Sequence, residues 1–184
     1  MQKENLFHAN KPGKNPPKDV NCLVEIPKGS NNKYEYDKET GTFTLNRVLF
    51  ESFFYPFEYG LIPQTWNKDD NDPLDILVFL TNPTFPGCLI NCRPVGVLYM
   101  IDTGEKDDKI VGVPTQDPRF SHINSLDQIS PHILKEIEYA FSHYKDLQGK
   151  KVEVTGWGNQ EKAYKLIEES IKEYQVKFRN SANA

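Results

Sequence analysis

The chain has 184 residues, 38% hydrophobic, 12% aromatic and 26% charged, with a net charge of −4. That length suits one domain over residues 1–184, and its apolar content supports a globular core, which excludes a disordered chain except at the ends. The acidic balance argues against a general nucleic-acid surface, no apolar run approaches the ~20 residues of a membrane span, and residues 1–8 lack the apolar core of a signal peptide, so a cytoplasmic protein is expected.

Residues 1–18 form an N-terminal extension, of which 10–18 is a connector rich in Pro and Lys without periodicity. Strand signals follow at 20–26 and 33–37, and the turn Lys38-Glu39-Thr40-Gly41 joins the latter to 42–50 as a hairpin. In its second strand Phe43, Leu45, Arg47 and Leu49 alternate, which places them on one face. An arginine in an apolar stripe is either half of a buried ion pair or an anion-binding group at the rim of a site, and the pattern does not choose. Lys33, Glu35 and Asp37 share a face opposite Tyr34 and Tyr36, as a solvated face would. The aromatic stretch 53–63 reads mostly as core, with the phenols of Tyr55 and Tyr59 able to hydrogen-bond beside a polar site.

Next comes the most informative junction. Asp69-Asp70-Asn71-Asp72-Pro73-Leu74-Asp75 runs straight into Ile76-Leu77-Val78-Phe79-Leu80, an apolar run that reads as a strand buried on both faces. Carboxylates crowded where buried sheet meets loop are costly unless solvated or neutralised by cations. Oxygen-only ligands select hard divalent ions. A calcium-binding EF-hand loop starting at Asp70 fails, because Asp75 falls where glycine is required and the flanks read as strands. A second acidic group repeats the plan: Val95-Gly96-Val97-Leu98-Tyr99-Met100-Ile101 leads into Asp102, then an acidic loop holding Glu105, Asp107 and Asp108, then Lys109 and the apolar 110–113. Two carboxylate groups on neighbouring strand ends can converge on one site.

A further strand is expected at 151–155. Two helices follow from periodicity. Ser130 and Pro131 start the first, with Ile133, Leu134, Ile137, Phe141 and Tyr144 as its stripe up to Gly149. The second starts near Asn159, with Ala163, Leu166, Ile167, Ile171 and Tyr174 on one face. Residues 179–184 read as a flexible tail. The pattern implies a mainly β, α+β fold: a small barrel flanked by two C-terminal helices. His8, His122, His132 and His143 show no metal-ligand spacing, and Cys22, Cys88 and Cys92 show no CxxC pairing, so reduced thiols are expected. With no nucleophile-and-base pattern in view, the acids, lysines, arginine and tyrosines suit metal-dependent chemistry on a phosphoryl substrate. A barrel that binds single strands or phosphate-rich ligands without turnover would instead need stacking aromatics on a basic groove.

Asp70-Asn71-Asp72-Pro73-Leu74-Asp75-Ile76 matches at every position the signature of the soluble inorganic pyrophosphatases of the first, magnesium-dependent type. The chain resembles that family from about Val20 to Tyr174, including Glu25-Ile26-Pro27, Lys33-Tyr34-Glu35, Arg47, Phe54-Tyr55-Pro56, Cys92-Arg93-Pro94-Val95-Gly96-Val97 and Tyr144-Lys145-Asp146-Leu147. The resemblance implies a five-stranded, oligonucleotide-binding-like (OB-like) closed barrel, diphosphate as substrate, and several Mg2+ ions per site, with Mn2+ or other divalent ions as substitutes. It implies that Asp70, Asp75 and Asp107 hold the activating metals, that Asp102 with Asp107 binds a metal arriving with substrate, and that Glu35 helps hold another. It makes Asp72 the general base toward the metal-activated attacking water, gives the phosphates to Lys33, Arg47, Tyr59, Tyr144 and Lys145, and puts Glu25, Tyr55 and Lys109 behind them. Thr103 stands where many members carry Glu, Gly104 lies one place early, and Glu58 replaces a commoner Asn; Glu105 and Asp108 could compensate at the loop. The compact bacterial-type length and the surplus of apolar residues, Phe53, Phe54, Phe57, Phe79 and Phe85 among them, imply a homohexamer, with His132 and His143 at a pH-sensitive contact.

Overall fold

The computed structural model describes residues 5–179. Strand β1 (Val20–Ile26) is buried along nearly its whole length because it is paired on both edges. It runs antiparallel to β4 (Glu58–Leu61), with Leu23 opposite Leu61, and to β6 (Leu89–Asp102), with Val20 opposite Cys92. At Gly60 a Cβ would meet the Leu23 carbonyl oxygen at 2.2 Å, so only glycine lets β4 come this close. β5 (Asp75–Val78) is antiparallel to β4 and parallel to β8 (Lys109–Pro114), which returns antiparallel to β6. The order β1-β4-β5-β8-β6-β1 is therefore a closed ring, in keeping with the expected OB-like barrel. β6 is long enough to pair beyond the ring with β7 (Glu105–Lys106) and β9 (Val152–Gly158). The hairpin of β2 (Asn32–Asp37) and β3 (Thr42–Val48) forms its own small sheet.

The run starting at Ile76 is buried on both faces, as its sequence implies. Leu77 packs with the side chains under α2 (Pro131–His143), including Ile137 and Phe141. Ile76 and Val78 pack on the opposite side, with Ala163 and Ile167 of α3 (Gln160–Tyr174). The Asn159 side chain accepts from the Lys162 N–H and starts α3 where expected. In α2 the stripe differs by one position: Ala140 is buried and Ile133 is 37% exposed. Ser130 precedes α2 without a side-chain capping bond, and Pro131 supplies the start.

One local expectation needs correction. The stripe Phe43, Leu45, Arg47, Leu49 is not one face. Lys33 pairs with Arg47 but Tyr34 pairs with Leu45, so Asn46 is an extra residue in β3. That bulge turns Arg47 onto the side of Lys33 and Glu35, away from Phe43 and Leu45. Ahead of the expected connector, the N-terminal extension carries structure for which no expectation was set. It holds a helical turn, α1 (Leu6–Ala9), whose Phe7 is fully buried with Tyr36, Trp66 and Tyr174. The tail expected over 179–184 lies, but for Arg179, outside the described residues. Among the described residues no helix is long and apolar enough to cross a membrane.

Candidate active site

Two parallel strands bring the acids together. β5 begins at Asp75 and β8 at Lys109, and Ile76 pairs with Ile110, so these first residues sit side by side at the same end of the ring. Asp102 closes β6 and Asp107 lies between β7 and β8, at that end too. The loop before β5 delivers Asp70 and Asp72. Asn71 takes φ +58°, a left-handed turn that Asn tolerates, and the Asp72 N–H donates to Asp70 Oδ1 at 3.1 Å. The resulting cleft, about 590 Å³, is lined by Asp70, Asp72, Asp75, Asp102 and Asp107 on one side and by Lys33, Glu35 and Tyr144 on others.

The acids are balanced by lysines. Lys109, 1% exposed, donates to Asp75 Oδ2 at 2.5 Å and also to Asp107. Burial disfavours its ammonium, but the two carboxylates outweigh burial and raise its pKa. Tyr59 donates to the same Asp75 oxygen at 2.6 Å, and burial with Asp75 raises its phenol. Burial and the nearby Asp75 and Asp107 push Asp70 up to about 8, against the pull of Lys109. Burial, then Asp75, likewise pushes Glu25 up to about 8; it accepts the Tyr36 N–H at 2.7 Å behind the cleft. Tyr55, 1% exposed and raised by burial, packs edge-on to Tyr59 at 5.6 Å.

Opposite stand the cations. Lys145, just past α2, contacts Asp102, and the neighbouring Tyr144 donates to the same carboxylate at 2.9 Å. Despite burial, these bonds hold Asp102 below its usual value. Lys145 is lowered by burial and by its neighbours Lys33 and Arg47, against the pull of Asp102. Three cationic side chains thus converge, and they do so because the β3 bulge turned Arg47 inward. Lys33 donates to Glu35 at 2.6 Å, and Asn46 holds the other Glu35 oxygen at 2.8 Å. Arg47 donates to Asn46 Oδ1 at 2.7 Å, its Nε is buried without a hydrogen-bond partner, and it makes no ion pair among the described residues. That arrangement suits an anion-binding arginine rather than half of an ion pair. Arg47→Ala is expected to fold with a melting temperature near the parent and bind substrate at least ~tenfold more weakly, since a charge-assisted contact is worth ~1.5–3 kcal/mol. Intact affinity with a large loss of thermal stability would make the arginine structural.

The cleft also holds residues that the sequence reading did not single out. Lys38, in the hairpin turn, places its ammonium on the Asp72 carboxylate. Nothing in the turn sequence singles it out, and only the folded hairpin shows which acid it meets.

The inorganic pyrophosphatase family profile matches residues 22–175. This chain belongs to that family. An inorganic pyrophosphatase of Geobacillus stearothermophilus is 54% identical over 155 residues, covering 84% of this chain and 93% of that protein. The crystal structure of the Thermus thermophilus inorganic pyrophosphatase superposes with a TM-score of 0.89 at 39% identity, over 94% of this chain and 99% of that one. A Trypanosoma cruzi vacuolar soluble pyrophosphatase, solved in complex with PPi, superposes at 0.77 with 25% identity, over 91% of this chain and 73% of that one.

As a pyrophosphatase the chain hydrolyses diphosphate to two phosphates, with the divalent-metal dependence general to the family. Its residues fit such ions: the donors are all oxygens, and burial together with like-charge repulsion from Asp75 and Asp107, which lift Asp70, are what a bound cation relieves. The departures from the family pattern have local explanations. Thr103 and Gly104 take φ +51° and +94° between the paired Asp102 and Glu105, the tight turn that right-twisted hairpins favour. Glu105 lines the cleft, but Asp108 turns inward to the Met100 N–H and Lys106 and cannot compensate there. Glu58 is fully buried away from the cleft, accepting from the N–H groups of Lys28 and Thr84 and from the Thr84 hydroxyl at 2.7 Å, so its carboxylate ties two loops together.

Proposed function

We propose a catalytic division of labour for this pyrophosphatase in which Asp72 is the general base, Asp70, Asp75, Asp102, Asp107 and Glu35 hold magnesium ions, and Lys33, Arg47, Tyr59, Tyr144 and Lys145 hold the two phosphates. The observation that carries it is one cleft lined by Asp70, Asp72, Asp75, Asp102 and Asp107 and by Lys33, with Arg47 and Lys145 close enough to Lys33 to form one cationic group at its edge. Diphosphate needs both: metals for its oxygens, and fixed cations for the charge that grows on the departing phosphate. Bound magnesium, or manganese in its place, supplies charge neutralisation and a water of lowered pKa. The chain's residues do the rest. Asp72 has a half-exposed carboxylate able to take a proton at the mouth of the cleft. Burial raises its pKa, against the pull of Lys38. Lys109 holds Asp75 and Asp107 in place, and Tyr55 with Glu25 closes the floor. The PPi-bound Trypanosoma cruzi relative supports the same substrate in the same fold.

The test is phosphate release from diphosphate. Magnesium is expected to activate, manganese to substitute in part, and excess chelator to reduce the rate to background. Full rate in chelator would end the metal assignment. Binding of diphosphate without turnover would favour a binding module instead.

The same reading includes a single-domain, cytoplasmic homohexamer. The three cysteines are free thiols, as a reducing compartment keeps them. Outside the cleft, α2 presents Tyr139 at 71% exposure, with Leu147 at 69% beyond it, around a groove that Phe53, His132 and His143 also line. Such an apolar surface suits a subunit contact. On this surface His143 lies 2.8 Å from Asp146 and His132 3.5 Å from Glu136. Sedimentation at micromolar concentration with magnesium should show a species about six times the 21.2 kDa chain; a single species at chain mass would end this part.

A further inference from the structure

The family profile spans residues 22–175, yet the segments flanking that span pack together against the loops that carry Asp72. Phe7 of α1 meets Phe178 edge-on at 6.1 Å and Tyr174 at 5.4 Å. His8 lies 5.1 Å from Phe178 and hydrogen-bonds the Tyr174 hydroxyl at 2.7 Å. Phe178 continues onto Trp66 at 5.2 Å, at the root of the acidic loop. Gln64 ties that root to the N-terminal segment, its backbone N–H donating to the Phe7 carbonyl and its side chain to the His8 carbonyl.

Each terminal segment then sends one polar contact toward the site. From the C-terminal side, Lys177 stacks its ammonium 3.4 Å from the Trp66 ring centre and donates to Asn71 Oδ1 at 2.9 Å. Asn71 is the left-handed residue between Asp70 and Asp72, so whatever holds its side chain holds the turn that aims both carboxylates. From the N-terminal side, Asn5 donates to the Lys38 carbonyl, and the Tyr36 hydroxyl bridges the Leu6 N–H, at 2.7 Å, to Asn5 Oδ1, at 3.1 Å. Lys38 is the residue whose ammonium meets Asp72. The two contacts therefore reach Asp72 from its two neighbours, Asn71 in the loop and Lys38 across the cleft.

We propose that residues 5–9 and 174–178 form a terminal clasp that positions the Asp72 carboxylate, with Lys177 and Asn5 as its positioning residues acting through Asn71 and Lys38. The clasp rests on the assignment of Asp72 as base. Neither residue reaches the cleft itself, so they set geometry and do no chemistry. The aromatic cluster fixes the two ends to each other and to Trp66. The two polar contacts convert that packing into a fixed distance between hairpin turn and acidic loop. A charged acceptor displaced by about 1 Å can cost ~10²-fold in rate, and loosening one of two restraints costs a part of that.

The test uses the full chain with magnesium. Lys177→Met keeps an apolar side chain of similar length beside Trp66 and removes the ammonium from both the ring and Asn71. It is expected to lower kcat about tenfold, within that ~10²-fold ceiling, with KM and melting temperature near the parent; Lys177→Arg restores most of the rate. Asn5→Ala should act in the same direction. Lys177→Met combined with Asn71→Gly, which keeps the left-handed turn, should lose no more kcat than Asn71→Gly alone. Parental kcat in both Lys177→Met and Asn5→Ala overturns the clasp, as does a rate loss that follows a fall in thermal stability and is not restored by arginine. Failure of the base assignment is read separately, from an Asp72→Asn variant that retains activity.

Discussion

Asp72→Asn is expected to lower kcat by ~10²–10⁴-fold, the range for removing a general base, while leaving magnesium affinity nearly unchanged. Asp75→Asn, three residues on, is expected to lose both rate and metal affinity. The geometry separates them. Asp72 is half exposed at the mouth of the cleft, and its ionic partner is Lys38 from the hairpin. Asp75 lies deeper, at the start of β5, where Lys109 and Tyr59 share one of its oxygens and Asp70 is near enough to be raised by it. A carboxylate so placed is committed to charge balance among the acids, whereas Asp72 retains room to take a proton. Steady-state rates together with calorimetric titration of magnesium on each variant decide the matter. Equal loss of metal affinity in both variants would refute the division.

The sequence made much of this legible because its signals were strong and local. The apolar run after Asp75 alternates between the two core clusters under α2 and α3, so a buried strand ending in acids follows from its pattern alone. The helices were equally plain, since Pro131 and Asn159 mark their starts and their stripes repeat at helical spacing. What stayed hidden depended on long-range contacts. The face of Arg47 turns on one extra residue, Asn46, and strict alternation cannot register a bulge set by the partner strand. Lys38 looks like any turn lysine until the hairpin folds over the loop from Asn67 to Asp72. The short helical turn at Leu6–Ala9 is too brief to show periodicity, and it forms because Phe7 finds a slot beside Tyr36, Trp66 and Tyr174. The inward turn of Asp108 likewise follows from pairing with Met100 and not from any spacing.

Lys109→Met is expected to cost more stability than any other single change at the site. Lys109 is 1% exposed and bonds both Asp75 and Asp107, whose side chains are 18% and 16% exposed. Methionine fills the volume but leaves two nearly buried carboxylates facing each other, with Asp70 close by. Breaking a buried pair from one side typically costs ~3–5 kcal/mol, or roughly 6–20 °C in melting temperature for a domain of this size. The pH dependence gives the mechanism a signature. In the parent, Asp75 and Asp107 raise the Lys109 pKa, so its contribution is complete below the unfolded lysine value and fades only as pH rises through the folded one; it is level from pH 6 to 9. In the variant Asp70, already pushed up to about 8 by burial and by Asp75 and Asp107, loses the opposing pull of Lys109 and shifts further upward. A carboxyl raised in this way favours the fold below its unfolded value and loses that contribution until pH passes its folded value, so the gap between variant and parent should widen from pH 6 to pH 9, as pH passes the parental value of about 8. Added magnesium should narrow it, because a cation among these oxygens replaces the missing charge. Thermal melts at the two pH values, with and without magnesium, read all of this. A gap that is small, or that stays constant with pH and magnesium, would mean that Lys109 only fills space beneath the acids.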